Sequence, residues 1–269
     1  MSSPDPGAIE VSGVSKTFEL PGGPLEALSQ VSFSVEADEF VTIIGPSGCG
    51  KSTLLRILAD IYKPTSGEVT IGGQSPREAR RRRELGVVFQ DPTLFPWRDV
   101  LGNVLLPLKL AGRLNSDTRA EARALLELVG LSGFEKARPN QLSGGMKQRV
   151  AIARSLVLGP KLLLLDEPFG ALDEITRQRM NLELLRIWGE TGTTAVLITH
   201  SLQEAVFLSD RILVMSARPG RIVEEVAVDL PRPRTPEMMR EQRFFDTLTG
   251  VGKVLFDSVE AAALATAEL

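Results

Sequence analysis

The run Gly45-Pro46-Ser47-Gly48-Cys49-Gly50-Lys51-Ser52-Thr53 leaves this chain little choice of fold. It follows an apolar stretch, Phe40–Ile44, and leads into Leu54-Leu55-Arg56-Ile57-Leu58-Ala59, which has helical character. Gly-x-x-x-x-Gly-Lys-Ser between a strand and a helix is a phosphate-binding loop. Glycines at 45, 48 and 50 permit backbone angles that a Cβ forbids, so successive N–H groups can converge on an anion. The helix that follows turns its unpaired N–H donors and positive dipole end to the same point. In such a loop Lys51 bridges the terminal phosphates, and Ser52 offers a hydroxyl ligand to Mg²⁺. The run predicts a nucleotide-phosphate site on an α/β scaffold.

The flanking pattern agrees with that scaffold. Residues 8–44 read as β: Ile9–Val14, Val31–Val35 with period-two alternation, and then the buried run before the loop. Pro21-Gly22-Gly23-Pro24 is the turn between them. Thr65-Ser66-Gly67 is expected to start a short hairpin made of Glu68–Ile71 and the Gly72-Gly73 turn, and Leu85–Phe89 is the next strand. From Asp91 the composition changes. Pro92, Pro96 and Pro107 rule out one straight helix over 91–107. Thr118–Gly130 reads as a helix, with Glu121 three residues after Thr118 as in a capping box, and Gly144–Leu158 as another. A mostly helical insert over about 91–160 is therefore expected within the α/β domain.

From Lys161 the alternation resumes: strand Leu162–Leu165, helix Asp173–Gly189, strand Thr194–Ile198, helix Leu202–Leu208 and strand Arg211–Met215. Continuous apolar strands separated by helices indicate a mainly parallel sheet covered on both faces. Arg221–Val228 is expected as an antiparallel edge strand, Pro231-Arg232-Pro233-Arg234 as a linker, and the remainder to 269 as a helical tail.

Net charge of −3 provides no general attraction to nucleic acid or to an anionic membrane. The local exception, Arg77 with Arg80–Arg83, reads either as a solvated helix face or as a contact with a partner. The longest apolar runs, such as Leu162–Leu165, are of core-strand length, far below the roughly 20 residues needed to span a bilayer. The opening residues lack the basic-then-apolar signature of a secretory signal, so a cytoplasmic location is expected. The single cysteine, Cys49, makes an intrachain disulfide impossible; inside the loop it is expected to be a small spacer with a thiol open to alkylation.

Three further stretches carry chemistry. Asp166 and Glu167 end the apolar strand Leu162–Leu165, where strand ends meet the nucleotide in a fold of this kind. Asp166 is suited to the Mg²⁺ shell, and Glu167, facing differently, to polarising an attacking water. His200, the only histidine, ends the strand of Ala195–Thr199 and is expected to reach a γ-phosphate; the rival reading is a structural hydrogen-bonder. One histidine and one cysteine exclude zinc-type clusters. Ser143-Gly144-Gly145-Met146 opens a helix, with Ser143 as N-cap and bare glycines behind it, making a second anion-binding device. Two such devices in one chain suggest that two copies share each nucleotide.

Taken in this order, the motifs over about residues 8–230 resemble an ATP-binding cassette (ABC) ATPase. The resemblance implies ATP and Mg²⁺ as cofactors and a head-to-tail pair in which the signature of one copy closes over the ATP held by the other. It identifies Gln90 with the glutamine-loop residue that touches Mg²⁺, Leu142–Met146 with the signature, Ala171-Leu172-Asp173 with the D-loop, Glu167 with the catalytic glutamate and His200 with the switch histidine. Two departures stand out. The signature of the family usually ends in glutamine where this chain has Met146, and its adenine-stacking aromatic has one candidate here, Phe18, which also reads as a core phenylalanine. The stretches Asp91–Val104 and His200–Asp210, with Val214–Ile222, are similar to the nitrate, sulfonate, taurine and bicarbonate importers. That narrower resemblance implies transmembrane permease subunits as partners, a solute-binding protein further out, and a place at the cytoplasmic face of the cell membrane. Leu94–Trp97 then reads as a groove for a permease helix, or as core packing of the insert. An exporter or lipid-transport ATPase would share every catalytic residue. A soluble cassette acting on ribosomes or nucleic acid is the rival of another class, but it would usually carry two cassettes or long insertions.

Overall fold

The computed structural model of this chain describes residues 5–170 and 172–267. In chain order the first elements are β1 (Ile9–Leu20), β2 (Gly23–Val35), β3 (Phe40–Ile44), α1 (Lys51–Leu58), β4 (Ser66–Ile71) and α2 (Pro76–Arg81). Then come β5 (Leu85–Val88), α3 (Val100–Val104), α4 (Leu106–Leu110), α5 (Ser116–Leu128), α6 (Gly144–Leu156), β6 (Leu162–Asp166) and α7 (Glu174–Thr191). The last are β7 (Thr194–Ile198), α8 (Leu202–Leu208), β8 (Arg211–Met215), β9 (Ile222–Ala227) and α9 (Gln242–Ala267). Residues up to Arg82 together with those from Thr194 make one compact unit, and Arg83–Thr193 make a second.

The first unit holds two kinds of sheet. β3 lies between β7 and β8, parallel to both, and β9 adds an antiparallel edge on β8. Every residue of β3 and β7 is buried, as parallel strands covered on both faces require. Each large apolar side chain so enclosed, such as Phe40 or Ile43, contributes roughly 1.5–3 kcal/mol. β3 delivers its last residue, Ile44, directly into the phosphate loop. Strands β2, β1 and β4 form a separate antiparallel sheet in which Val31, Phe33 and Val35 point inward while Ser32 and Ser34 face solvent.

The second unit pairs β5 with β6 in parallel and carries helices α3 to α7. All of β6 is buried, and α6 buries Val150, Ile152 and Leu156 on its inner side. This is the α/β architecture with parallel strands, an N-terminal antiparallel sheet and a helical portion that the sequence predicts.

Some local expectations fail, each for a physical reason. The hairpin expected after Thr65 is not one: β4 pairs antiparallel with β1, from Ile9 opposite Ile71 to Ser15 opposite Ser66. The Gly72-Gly73 turn closes only a single bridge, Ile71 to Gln74, because Pro76 starts α2 directly after it. The cap of α5 is Asn115, not Thr118 with Glu121. Asn115 Oδ1 accepts from Thr118 N at 2.8 Å and Thr118 Oγ1 accepts from Asn115 N at 3.0 Å, so the box forms one turn earlier. In the basic run Arg77 and Arg80–Arg83 are all exposed, with Arg80 on Asp60 (2.8 Å) and Arg82 on Glu78 (3.3 Å), pairs worth about 0–1 kcal/mol each. The supposed linker at 231–234 is pinned, since Arg232 and Arg234 bond to the end of α8 and to Asp210. Tail helix α9 buries Phe244 and Val251.

Candidate active site

The phosphate loop is built around the Lys51 ammonium. This side chain is only 6 % exposed, and its Nζ donates to Gly45 O at 2.8 Å and to Pro46 O at 2.9 Å. A cation is thus held inside a ring of backbone at the foot of α1. The N-cap of α1 is Gly50, which supplies no side chain to bond the first-turn N–H groups. Gly50 has φ +111°, and a Cβ there would stand 2.7 Å from Ala27 O, so no other residue suits the position. Gly220 approaches the loop from behind: a Cβ on it would lie 2.2 Å from Cys49 O. These contacts fix the loop's shape while Ser47 and Gly48 stay exposed to receive a ligand. A buried ammonium, a bare helix start and an exposed rim fit a polyphosphate. Ser52, half-buried in the first turn of α1, provides a hydroxyl there, and Thr53 follows it.

Cys49 departs from expectation. It is 1 % exposed, with Lys51 Nζ 3.8 Å from its sulfur, and burial pushes its thiol pKa up while the ammonium offsets part of that rise. Alkylation by iodoacetamide at neutral pH should therefore run at least about 10-fold slower in the folded chain than in a denatured control, because the reactive thiolate is both scarce and covered. Equal rates would show that the loop opens.

In the second unit, Asp166 is 5 % exposed at the end of β6. Glu167 follows with φ +44°, a left-handed conformation that costs a non-glycine residue of order 1–3 kcal/mol and that clusters at functional sites. The turn is closed by Gly170 N donating to Glu167 O at 3.2 Å and anchored by the fully buried Phe169. The strain re-aims Glu167 away from the buried line of β6. A Cβ on Gly170 would lie 3.5 Å from Glu167 Oε2 and 3.8 Å from Gln90 Nε2, so the structure brings these two side chains to one place. Among the described residues no three His, Cys, Asp or Glu side chains converge on a metal position. A Mg²⁺ that arrives with phosphate ligands needs few protein donors; in this unit Asp166 offers a carboxylate, and in the first unit Ser52 offers a hydroxyl.

Ser143 is the N-cap of α6, its Oγ accepting from Met146 N at 3.3 Å. The side chain at 146 takes no part in this bond, so methionine in place of glutamine leaves the cap intact. Asp173 plays the same part for α7, accepting from Thr176 N (3.0 Å) and Thr176 Oγ1 (2.7 Å). Those two bonds hold its carboxyl below the usual carboxylate range. A Cβ on Gly145 would meet Thr176 Cγ2 at 3.3 Å and one on Gly144 would meet Leu172 Cδ2 at 3.5 Å, so the two capped helix starts sit side by side. Ala171, the first D-loop residue, lies outside the described residues. A cavity of about 380 Å³ joins Gln90 to this corner, with Gly144 and Lys147 in its wall.

His200 is exposed just past the end of β7. Phe18 is half-buried, not a core residue, and stands edge-on to Tyr62 with ring centroids 5.5 Å apart and Lys16 Nζ 5.0 Å from its own ring. Sequence reasoning missed Tyr62, because only the fold brings its loop beside β1. Asn103 was missed too: fully buried, it binds Phe95 through both N (2.8 Å) and O (3.2 Å) and also bonds Arg98 O and Asp99 O. A polar residue inside an apolar helical run was the one available signal. This wrapping leaves Trp97 outside, 68 % exposed against Phe95, so core packing of that segment is ruled out for Trp97.

Known proteins resemble this chain over most of its length. A family model described as ABC transporter matches residues 28–170. The chain is 44 % identical over 237 residues to an aliphatic sulfonates import ATP-binding protein of Bacillus cereus, covering 87 % of this chain and 92 % of that protein. It is 44 % identical over 243 residues to a nitrate import ATP-binding protein of Synechocystis, covering 88 % and 91 %. Among solved structures, an ATP-binding cassette dimer in a post-hydrolysis state with ADP and Pi superposes with a TM-score of 0.73 at 35 % identity, covering 83 % of this chain and all of that one.

Proposed function

The chain belongs to the ABC transporter family, and from that membership we propose that it is the ATP-hydrolysing subunit of an importer for a small anion such as a sulfonate, nitrate, taurine or bicarbonate. The observation that carries the ATPase reading is the Lys51 ammonium, enclosed by the carbonyls of Gly45 and Pro46 at an uncapped helix start. In this reading residues 8–230 are the cassette, 91–160 its helical subdomain and 231–269 a tail.

Each named residue then has a task. Lys51 and the N–H groups of the loop Gly45–Thr53, Pro46 excepted, bind the β- and γ-phosphates, and Phe18, with Tyr62 beside it, offers the adenine an aromatic surface. Ser52, Asp166 and Gln90 are the residues that would hold Mg²⁺, which supplies charge neutralisation on the phosphate oxygens. Glu167 orients a water for in-line attack and takes its proton, while His200 stabilises the transferring group. Ser143, Gly144 and Gly145 close over the nucleotide of a second copy, and Asp173 braces that closure. ATP contacts that exist only in the pair drive the closure as a population shift. The exposed Trp97 and half-buried Leu94 support a docking surface for a permease subunit. In this reading the chain works at the cytoplasmic face of the membrane and is coupled indirectly to a solute-binding protein.

Purification of the tagged chain from detergent-solubilised membranes tests the assignment. Recovery with a polytopic subunit, and loss of that subunit on Trp97→Asp while soluble ATP binding persists, is the expected result. Recovery with ribosomes or DNA would overturn the importer reading and leave the ATPase reading to be tested by turnover.

A further inference from the structure

Residues 231–234 take no part in the chemistry above, yet they grip the element that follows His200. Helix α8 has only 7 residues and no basic side chain in its last turn. A helix so short does not persist by itself in water, and its last carbonyls have no intrahelical donors. The missing donors come from two arginines. Arg234 Nη1 donates to Val206 O at 3.2 Å and Phe207 O at 3.0 Å, and Arg232 Nη2 donates to Leu208 O at 2.8 Å. Ala205 O accepts from Ser209 N at 3.2 Å, so every carbonyl of the final turn is bonded. Arg232 Nε also bonds Asp210 Oδ1 at 2.8 Å, and Asp210 Oδ2 accepts from Phe40 N at 2.9 Å. The same carboxylate therefore ties the clamp to the start of β3, the strand that ends in the phosphate loop.

Arg234 is 6 % exposed, and burial lowers its pKa to about 10, which leaves it cationic at neutral pH, the charge that the negative end of a helix favours. At the other end of α8, Ser201 Oγ accepts from Glu204 N at 3.3 Å, Thr199 Oγ1 accepts from Ser201 N at 3.1 Å, and Thr199 Oγ1 donates to buried Glu204. His200 lies between the two residues that make these bonds. Helix α9 rests on α8, where a Cβ on Gly252 would stand 3.4 Å from Leu202 Cδ1.

We propose that Arg232 and Arg234 are positioning residues for ATP hydrolysis, closing the C-terminal end of α8 so that the turn carrying His200 is held at one angle to the nucleotide. The inference rests on the reading of His200 as a γ-phosphate group and extends that machinery into the tail.

His200 is the only histidine, so its imidazole gives one Cε1–H resonance in the full-length chain. Arg234→Met removes the buried cation; Arg234→Lys and Arg232→Lys keep the charge, lose the fork, and serve if the methionine variant does not fold. The lysine variants are expected to shift or broaden the His200 resonance and to lower kcat about 10-fold with KM for ATP little changed. In a His200→Ala background the same substitutions should lower kcat no further. An equal loss in both backgrounds, or an unmoved resonance with unchanged kcat, overturns the clamp. If His200→Ala alone keeps wild-type turnover, the reading of His200 fails and takes the clamp with it. If His200→Ala lowers turnover and an arginine substitution adds an independent loss, the clamp alone fails.

Discussion

Glu167→Gln is expected to bind ATP as the wild type does, to hydrolyse it about 10²–10⁴-fold more slowly, and to accumulate as an ATP-bound pair. The substitution keeps the size of the side chain and its place beside Gly170 and Gln90, and removes only the capacity to take a proton. The left-handed φ of +44° at this position belongs to the backbone turn, so glutamine inherits the same aim. Binding persists because the phosphate contacts reside in Lys51 and the loop, which the change does not touch. Single-turnover assays with size-exclusion chromatography in ATP and Mg²⁺ check both halves. Wild-type turnover would move the general base to another residue. A monomeric variant in ATP would separate water activation from closure.

Much of this site was legible from residue types because its physics is local. A glycine-rich turn between strand and helix permits few geometries, and Gly50 with φ +111° against Ala27 O occupies the one expected. Strands β7 and β8 and helix α8 fall where the apolar runs place them, since buried parallel strands leave no periodic ambiguity. What escaped the sequence depends on partners far along the chain. Nothing near Arg234 announces that its guanidinium closes a helix ending at Leu208. The partner of β4 is β1 because a distant strand edge outcompetes a local turn, and Tyr62 meets Phe18 only through that pairing. Asp173 read as a D-loop contact by resemblance; the structure adds that it caps α7, a role its own position before a helix would have disclosed. Cys49 misled because exposure of a loop does not imply exposure of each residue in it: this one is 1 % exposed, with its sulfur turned in against Gly45, where a Cβ would stand 2.9 Å from it.

Mixing two inactive variants is expected to restore ATP hydrolysis. Lys51→Ala removes the ammonium that the Gly45 and Pro46 carbonyls hold, and with it the cation for the phosphates. Ser143→Arg places a bulky cation at the exposed N-cap of α6. The lost Met146 bond costs the helix about 1 kcal/mol, which a 13-residue helix buried on Val150, Ile152 and Leu156 can absorb. Each variant alone should lose at least about 10²-fold in kcat, the usual effect of removing a group that stabilises developing charge. A mixed pair gathers both lesions at one nucleotide and leaves the other with an intact Lys51 from one copy and an intact Ser143 from its partner. Random association of equal amounts makes half the pairs mixed with one of two sites whole, so about a quarter of the wild-type rate should return. If each copy instead completes its own site, every chain in the mixture still carries a lesion at its nucleotide and no activity returns. The result depends on which copy supplies the helix start and not on how strongly either variant binds ATP, so it isolates the shared nucleotide from every other part of the mechanism.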